Sequence, residues 1–471
     1  MSIKGKSFSR STNGSVGEFE YVNDNKFLEH QHYENTGNGF VIFDSLFKNN
    51  HAELDGGHIY IDGENVYVSI DSCDFSGGES LFGSDISSYL SKGVLIEKST
   101  FFGGQVGDQT SGSLFFTMSA LTFLESYIGN VHGTCIFSTQ SYVGVTKSII
   151  ESCTEGGIKI LDVRDRRSSI DISTSYDPAS SAGEYYIAAM AGYSSSVYDS
   201  NIMNNFVTND GGGIFLANSH HDEIYVMRNN FTNNKAFRFG GGFHIESSTS
   251  LVRFGTNIFT KNRATYGGSI SVSNVPSFEF SFGRGKQRKG LDFADSRAIG
   301  GGVLYDDSFN NENTTLDMFL AHNHTMVGIT SDYGGWFSSR PILIRLLNKD
   351  EVISVFPGEK FDIEMELIDR IGQSILCYPK ATCTLEIYYD DNTSMMSKSQ
   401  LIAANLQVVL SENNKNPVFS FKDVSIQQQS KDKDSEVLRI ICDNLPNVPP
   451  LEVDVELQRC SVPYYGLEFF I

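Results

Sequence analysis

Apolar and polar residues alternate over short stretches along most of the chain, and this spacing predicts β-strands. Typical stretches are Ile270–Val272 in the first two-thirds and Phe361–Leu367 in the last third. Alternation with a period of two gives strands with one buried face. No stretch combines an apolar residue every 3.6 positions with the residue types that begin and end helices. The pattern therefore predicts an all-β protein.

A motif recurs in the first two-thirds of the chain: Phe-x-x-Asn, a short gap, then a glycine pair followed by alternating apolar residues. Phe231 follows Phe206 by 25 residues, and Phe259 follows Phe231 by 28. One turn, or coil, of a parallel β-helix needs about this many residues, and its strands stack on those of the next coil. The four clear copies contain Phe47, Asn50, Gly56 and Gly57; Phe206, Asn209, Gly212 and Gly213; Phe231, Asn234, Gly241 and Gly242; and Phe259, Asn262, Gly267 and Gly268.

The residue types of the motif fit stacked coils. Glycine before an inward-facing strand permits a positive φ or a close approach between coils, and stacked Asn side chains can hydrogen-bond along the rod. The alternative is a sandwich with glycine-rich hairpins, but sandwiches do not repeat a motif at near-constant spacing. The register predicts one inward column of Ile59, Ile214, Phe243, Ile270 and Val303, and a second of Phe47, Phe206, Phe231 and Phe259.

Two segments interrupt the repeats, residues 162–195 and residues 283–290, and both are predicted to protrude as loops. The second is a basic island in an acidic protein. A site for an acidic glycan or a phosphate is one interpretation of either loop. A solvated insertion is the favoured interpretation, because short charge runs are usually solvated.

The combination of Phe-x-x-Asn with Gly-Gly-x-Ile resembles the repeat of the chlamydial polymorphic outer membrane proteins, which also occurs in large surface proteins of protists. The clear copies span residues 43–62 and 196–305, and residues 63–195 match loosely. The resemblance implies a right-handed parallel β-helix in a surface or secreted protein linked to adhesion and antigenic display. The sequence departs from the chlamydial type because it has no autotransporter barrel after the repeats, which argues against a bacterial outer-membrane role.

The pattern changes at about Pro341, where the glycine pairs stop and longer alternating strands begin. About seven such strands, separated by turn residues, predict a β-sandwich. They are predicted at residues 342–344, 351–355, 361–367, 383–387, 406–410, 437–441 and 451–457. The segment Val355–Asp369 resembles the immunoglobulin-like domain that follows β-helices in the protist proteins. The predicted domains are a β-helix over residues 1–338 and an immunoglobulin-like sandwich over residues 339–459. We interpret residues 460–471 as a truncated tail and expect an incomplete gene model.

Charge, hydropathy and cysteine content limit the classes of partner and location that the chain can have. With 36 Lys and Arg against 57 Asp and Glu, the net charge of −21 disfavours nucleic acid and anionic membranes as partners. No apolar stretch reaches the roughly 20 residues of a transmembrane helix, and the N-terminus lacks the apolar run of a secretory signal. Cys377, Cys383, Cys442 and Cys460 allow three disulfide pairings, and the sequence does not choose between them.

Candidate residues for catalysis are Asp210, His132 and the pair Asp306 and Asp307. Glycosidases on β-helices need two nearby carboxylates, yet none of these residues lies in a motif that resembles polygalacturonases or pectate lyases. His220 and His221, and likewise His322 and His324, have the chemistry of metal ligands without a second cluster at a recognised spacing. We therefore predict no catalytic residue, no metal site and no cofactor.

Asn-x-Ser/Thr sequons predict N-glycosylation at Asn313, Asn323 and Asn392. Asn230 is also in a sequon, but stacking within a coil is expected to block a glycan there.

The sequence as a whole predicts a non-catalytic cell-surface or secreted β-helix protein that functions in adhesion or surface display. Its ligand is unknown, with a glycan or a host or partner surface protein as the options. The alternative is a polysaccharide-active lyase or glycoside hydrolase of the pectate-lyase-like fold. A third option, an internal structural role, follows if the chain has no secretory signal.

Overall fold

The computed structural model describes most of the chain, and all 46 elements within the described residues are strands. Two compact units are present, one of residues 1–331 with 335–337, and the other of residues 332–334 with 338–471. The described residues are 2–4, 7–9, 38–63, 66–108, 110–161, 194–217, 223–247, 251–274, 278–280, 291–307, 319, 324–347, 352–376, 381–388, 399–409, 417–427, 435–443, 445 and 448–458.

The first unit is a parallel β-helix, as the repeats predict. Each full coil contributes one strand to each of three long sheets, and equivalent strands of successive coils pair in parallel. Sheet 1 contains β2 (Ser7–Ser9), β1 (Ser2–Lys4), β5 (Ile59–Asp62), β9 (Ile86–Tyr89), β13 (Gly112–Thr117), β16 (Thr134–Thr139), β19 (Ile158–Leu161), β23 (Ile214–Ala217), β27 (Phe243–Glu246), β30 (Ile270–Ser273), β34 (Leu304–Asp306) and β37 (Phe337–Ser339).

Sheets 2 and 3 have nine and ten strands. Sheet 2 contains β3 (Asn38–Phe43), β6 (Val66–Asp71), β10 (Gly93–Glu97), β14 (Ala120–Leu124), β17 (Tyr142–Thr146), β20 (Ser194–Tyr198), β24 (Glu223–Met227), β28 (Leu251–Gly255) and β31 (Phe278–Phe280). Sheet 3 contains β4 (Leu46–Lys48), β7 (Asp74–Ser76), β11 (Thr100–Phe102), β15 (Tyr127–Gly129), β18 (Ile149–Glu151), β21 (Asn201–Met203), β25 (Asn230–Thr232), β29 (Ile258–Thr260), β32 (Asp292–Ala294) and β35 (Thr325–Val327).

Short strands between sheets 3 and 1 form three two-stranded pairs. They are β8 (Glu79–Ser80) with β12 (Gln105–Val106), β22 (Phe206–Val207) with β26 (Lys235–Ala236), and β33 (Arg297–Gly300) with β36 (Thr330–Tyr333).

One continuous apolar core runs through the coils, built from the inward-facing residue columns. In sheet 1, Ile214, Phe243 and Ile270 stack in register as predicted, and the next residue in the column is Leu304. The prediction of Val303 at that place was wrong by one residue. Stacked rings recur in sheet 3, where Phe231 and Phe259 lie nearly parallel with their centroids 4.6 Å apart.

The predicted register was also wrong in the coil that contains Phe206. Phe206 pairs with Lys235 rather than Phe231 and is 38% exposed. Ile202 takes the inward place beside Phe231 and is fully buried. An inward position needs a large apolar side chain, which isoleucine supplies as well as phenylalanine.

The buried Asn of that coil is correspondingly Asn205, whereas the predicted Asn209 is exposed. Asn205, Asn234 and Asn262 form a ladder at the corner that follows sheet 3. The Asn205 backbone N–H donates to Oδ1 of Asn234, and the Asn234 N–H donates to Oδ1 of Asn262, at 3.2 and 3.0 Å. Each buried amide thus satisfies the backbone of the preceding coil.

A second ladder follows the corner between sheets 2 and 3. Backbone N–H groups donate to the side chain one coil further on, in a series of six bonds that begins with Cys73 to Ser99 and ends with Asn229 to Asn257. The residue before each ladder position has a positive φ, as at Lys98 and Arg228. The corners of the rod therefore depend on side-chain hydrogen bonds as well as on strand pairing.

Asn234→Ala is expected to lower the free energy of unfolding by about 2 kcal/mol, because it leaves the buried Asn205 N–H without its partner and removes the bond that Asn234 Nδ2 donates to the Ile202 carbonyl. The measurement is urea unfolding of the full chain, followed by circular dichroism. Asn230→Ala is the matched control, since Asn230 is exposed and bonded to Asn201, and it should change stability by less than about 0.5 kcal/mol. Equal losses in the two variants would contradict a special role for the ladder.

A buried polar network lies inside the first coils. His58 Nε2 is 3.2 Å from Asp85 Oδ1, and both side chains are inaccessible to solvent. Asn50 Nδ2 donates to His58 Nδ1 at 2.7 Å, which leaves the ring proton on Nε2 facing the carboxylate. Ser113 donates to the other oxygen of Asp85. The predicted motif residue Asn50 therefore orients a buried histidine.

Glycines allow both the tight turns before sheet 1 and the close packing between coils. Gly56 has a φ of +63°, and a β-carbon there would lie 2.6 Å from the Ile59 carbonyl carbon. Gly57, Gly212, Gly213, Gly242, Gly267 and Gly268 also lie where a β-carbon would come within 3.0 Å of a neighbouring atom.

The second unit consists of two mainly antiparallel sheets. The four-stranded sheet contains β38 (Pro341–Leu346), β40 (Phe361–Asp369), β44 (Val418–Gln427) and β42 (Gln400–Ile402). The five-stranded sheet contains β39 (Val352–Val355), β46 (Leu451–Leu457), β45 (Ser435–Asp443), β41 (Thr382–Tyr388) and β43 (Gln407–Val409). Two of these nine strands, β42 and β44, are not among the strands predicted from the sequence.

Two disulfides are formed within the described residues. Cys135 and Cys153 join consecutive coils inside the β-helix, and Cys383 and Cys442 face each other on neighbouring strands β41 and β45. Of the three pairings left open, the structure therefore contains the one with Cys383–Cys442; Cys377 and Cys460 lie outside the described residues.

Candidate functional site

The outer face of sheet 1 carries a column of unusually large side chains, here called the outer stripe. Parallel pairing places its members in line, one per coil, along the rod. Several are buried although they point away from the core, including Phe137, His244 and Tyr305. The stripe consists of Tyr60, Ser87, Phe115, Phe137, Lys159, Phe215, His244, Ser271 and Tyr305.

Aromatic side chains from the preceding turn cover parts of the outer stripe. Phe82, Phe239 and Tyr266 each lie four residues before the first inward residue of their sheet 1 strand. Phe239 stacks on His244 with the ring centroids 5.6 Å apart, and Tyr266 lies 4.9 Å from Tyr305. These covering rings explain why the stripe residues beneath them are shielded from water.

A cleft of about 300 Å³ opens beside Phe239, at a coil that has no covering ring. In that coil the equivalent place holds Asp210, one coil before Phe239, and the Gly211 N–H donates to the Phe239 carbonyl at 2.9 Å. The lining consists of Glu155, Gly156, Ile158, Lys159, Val207, Asn209, Asp210, Gly211, Phe215 and Arg238.

Asp210 and Arg238 form a bidentate ion pair on one wall of the cleft. Arg238 Nε and Nη2 donate to Asp210 Oδ1 and Oδ2 at 3.1 and 2.5 Å. The Phe239 backbone N–H also donates to Oδ1, at 3.1 Å. The hydrogen bonds to Asp210 raise the pKa of the Arg238 guanidinium, and the two parallel bonds fix the orientation of both side chains.

Lys159 lies on the floor of the cleft. Its Nζ is 5.3 Å from the Phe137 ring centroid and 5.7 Å from that of Phe215, within the range of cation–π attraction. Burial lowers the pKa of Lys159, an effect opposed by Glu155, Asp210 and Glu246. Within the described part of the chain, no carboxylate lies within ion-pair distance of this ammonium.

His244 borders the cleft above Phe215. Its ring stacks between Phe215 and Phe239, with centroids at 5.5 and 5.6 Å, and it is 1% exposed. His244 Nε2 is 3.6 Å from Glu246 Oε2, and this contact lowers the pKa of the Glu246 carboxyl. The faces of the His244 ring are thus covered by neighbours along the rod.

Of the residues considered for catalysis, only Asp210 reaches the cleft. Asp306 is buried at the end of β34, and Asp307 accepts a hydrogen bond from Tyr305 at 3.5 Å. His132 is exposed and lies outside the cleft. None of these residues forms a pair of carboxylates with Asp210.

His324 has a structural role, because both of its ring nitrogens contact backbone groups. Its Nδ1 accepts from the Leu291 backbone N–H at 3.0 Å, and its Nε2 is 2.9 Å from the Phe319 carbonyl oxygen. No cluster of three metal-ligating side chains occurs within the described ranges. The remaining predicted features lie outside them, namely His220, His221, His322, residues 283–290, residues 162–193 of the first loop, and Asn313, Asn323 and Asn392.

Sequence reasoning missed Glu155, Lys159, Phe215 and Arg238 as parts of a site. The signal was present in the register of the repeats. Aligning each coil on its glycine turn puts Asp210 beside Phe239 and Tyr266 in a column that also contains Asp55 and Phe82, and this change from an aromatic to a charged residue marks the position.

No protein-family model matches the chain, and a search of curated proteins finds no match. Among solved structures, domains 4 and 5 of the S-layer protein SbsC are similar, with 15% identity and a TM-score of 0.16. The match covers 26% of this chain and 55% of that one, and a similarity at this level does not establish a shared fold. Where the chain is described, it has no helix with the length and apolar character needed to cross a membrane.

Proposed function

We propose that the chain is a non-catalytic rod of a cell-surface or secreted protein that functions in adhesion or display, and that the outer stripe with its cleft is the binding surface. The observation that carries this proposal is the cleft, where a coil without a covering ring exposes a preorganised set of charged and aromatic groups. A rod with one binding face is suited to presenting that face to a partner.

Two disulfides support an extracellular location. Disulfides persist in oxidising compartments and are rare in reducing ones. Cys135–Cys153 lies in the core of the rod and Cys383–Cys442 in the second unit, so each unit contains one. This location agrees with the surface or secreted class that the repeat resembles.

The finer family assignment belongs to the same proposal. Right-handed winding is supported by the strong preference of parallel crossover connections for that hand. An immunoglobulin-like second unit is supported by its two mainly antiparallel sheets. Its disulfide joins neighbouring strands of one sheet, however, whereas antibody domains link their two sheets.

A polysaccharide-active enzyme is the second candidate function. The observation in its favour is that two carboxylates, Glu155 and Asp210, line one cleft. The bidentate ion pair of Asp210 with Arg238 argues against an enzyme, because a carboxylate fixed to a guanidinium is a poor general acid.

Incubation of the purified chain with insoluble polysaccharides and with a panel of soluble oligosaccharides separates the two functions. Co-sedimentation or a binding isotherm measures retention, and a reducing-end assay with an unsaturated-product absorbance assay measures cleavage. We expect retention with no product above a boiled-protein control. Product formation that Glu155→Gln abolishes would instead establish the enzyme.

A further inference from the structure

The covering rings of other coils indicate the shape of a ligand that would fit the cleft. In three other coils, Phe82, Phe239 and Tyr266 place a flat ring over the outer stripe. The Phe239 ring is inclined by only 17° to His244 and 20° to Tyr305. In the coil of Asp210 the same place holds no ring, and the volume of the adjoining cleft, about 300 Å³, is at the lower end of ligand-binding pockets. A ring-shaped group would therefore continue the row.

The lining indicates that this ring is polar. Two cations, Lys159 and Arg238, and two carboxylates, Glu155 and Asp210, surround the opening. An aromatic side chain would desolvate the Lys159 ammonium, which no carboxylate of the described residues pairs with, at a cost of about 1–3 kcal/mol. A pyranose carries hydroxyl groups that both donate and accept hydrogen bonds, so it can satisfy cations and carboxylates together.

The balance of charge indicates that the sugar is neutral. The two cations and two carboxylates of the lining cancel, so an added sugar carboxylate or sulfate gains no net attraction from them. The chain as a whole carries a net charge of −21, which repels polyanions at long range. Lys159 remains as a donor for a hydroxyl or ring oxygen, since no carboxylate within the described residues pairs with it.

We propose that the cleft binds a neutral pyranose unit of a glycan. Lys159 Nζ and the outer edge of the Arg238 guanidinium donate hydrogen bonds, Glu155 accepts, and the edge of Phe215 packs against the apolar part of the sugar ring. This inference rests on the proposed function, because it names the ligand class for the same surface.

The test is isothermal titration of the full chain with neutral hexasaccharides built from glucose, mannose and N-acetylglucosamine, and with hexagalacturonate as the acidic probe. At least one neutral hexasaccharide should bind, and hexagalacturonate should bind at least tenfold more weakly. Lys159→Met keeps the aliphatic stem between Phe137 and Phe215 but removes the donor. It should weaken the Kd about tenfold or more, since a charged hydrogen bond contributes about 1.5–3 kcal/mol.

Lys147→Met is the matched control, because Lys147 is exposed and paired with Glu125 at 3.0 Å, away from the cleft lining. It should bind with wild-type affinity, and thermal unfolding should show that both variants are folded. Glu155→Gln gives a second variant in case Lys159→Met fails to fold.

The possible failures are distinguishable. Binding that Lys159→Met and Glu155→Gln leave unchanged would overturn the cleft as the site while leaving the adhesive function intact. Preference for hexagalacturonate, or no binding of any neutral hexasaccharide, would overturn the ligand class. Cleavage of a bound neutral glycan would overturn the non-catalytic function but support the cleft as its site.

Discussion

Replacing both Cys383 and Cys442 by alanine should lower the free energy of unfolding of the second unit by about 4 kcal/mol. The bond closes a loop of 59 residues in sequence, and the chain-entropy account of disulfides gives about 4 kcal/mol for a loop of this length. The two residues lie opposite each other on β41 and β45, which pair over seven positions. Loss of the disulfide also weakens this strand pairing. A shift of this size is a large fraction of the stability of an ordinary domain.

The measurement is urea unfolding of the full chain by circular dichroism, with the oxidised wild type as reference. Cys73→Ala is the matched control, because Cys73 is a buried cysteine without a disulfide. Burial raises the pKa of its thiol to about 11, so it should react slowly with thiol reagents in the folded protein. If the double variant and the reduced wild type unfold at the same urea concentration as the oxidised wild type, the bond does not stabilise the fold.

Gly241→Ala should lower the stability of the β-helix by about 3 kcal/mol. A β-carbon at Gly241 would lie 2.5 Å from the Arg263 carbonyl oxygen and 2.6 Å from the Arg263 nitrogen, and closer still to the Gly268 carbonyl oxygen. All three atoms belong to the backbone of the next coil, so no side chain can turn aside to relieve the overlap. Overpacking of a rigid interior costs about 1–3 kcal/mol and occasionally more.

Gly103→Ala is the control for this effect. Gly103 has a positive φ of +72°, and a β-carbon there would meet nothing within 4 Å. Its replacement should cost about 1 kcal/mol, the penalty of a left-handed backbone without a steric clash. A scanning calorimetry profile of each variant measures the difference, and a Gly241→Ala variant no less stable than Gly103→Ala would contradict the crowding of the coils.

The repeat motif predicted the parallel β-helix because each feature of the fold leaves a mark at a fixed spacing. The glycines and the buried Asn234 and Asn262 recur once per coil, so two or three copies suffice to recognise the pattern. The register of single coils was harder to predict. The segment Ile202-Met-Asn-Asn205-Phe206-Val-Thr-Asn209 contains two overlapping versions of an apolar residue followed by Asn, and only packing selects the first.

The candidate site was not predicted from the sequence, for a different reason. Its members, Glu155, Lys159, Asp210 and Arg238, come from three coils and are ordinary surface residues when each is considered alone. Only the stacking of coils brings them to one opening. The ten-residue strand β44 was missed because Asp423, with a φ of +51°, interrupts its alternation of buried and exposed residues.

The corner ladders also determine how such a rod can change in length. Each ladder bond joins a backbone N–H to a Ser or Asn side chain one coil away, as between Ser200, Asn229 and Asn257. If the 28 residues from Asn229 to Thr256 were excised as one coil, Ser200 would face Asn257, which has the same side chain as the lost Asn229. Duplication of a coil would likewise place each backbone N–H of the ladder opposite a Ser or Asn side chain. Recombination between repeats can therefore lengthen or shorten the molecule in whole coils, and so adjust the reach of the binding face without redesigning any interface.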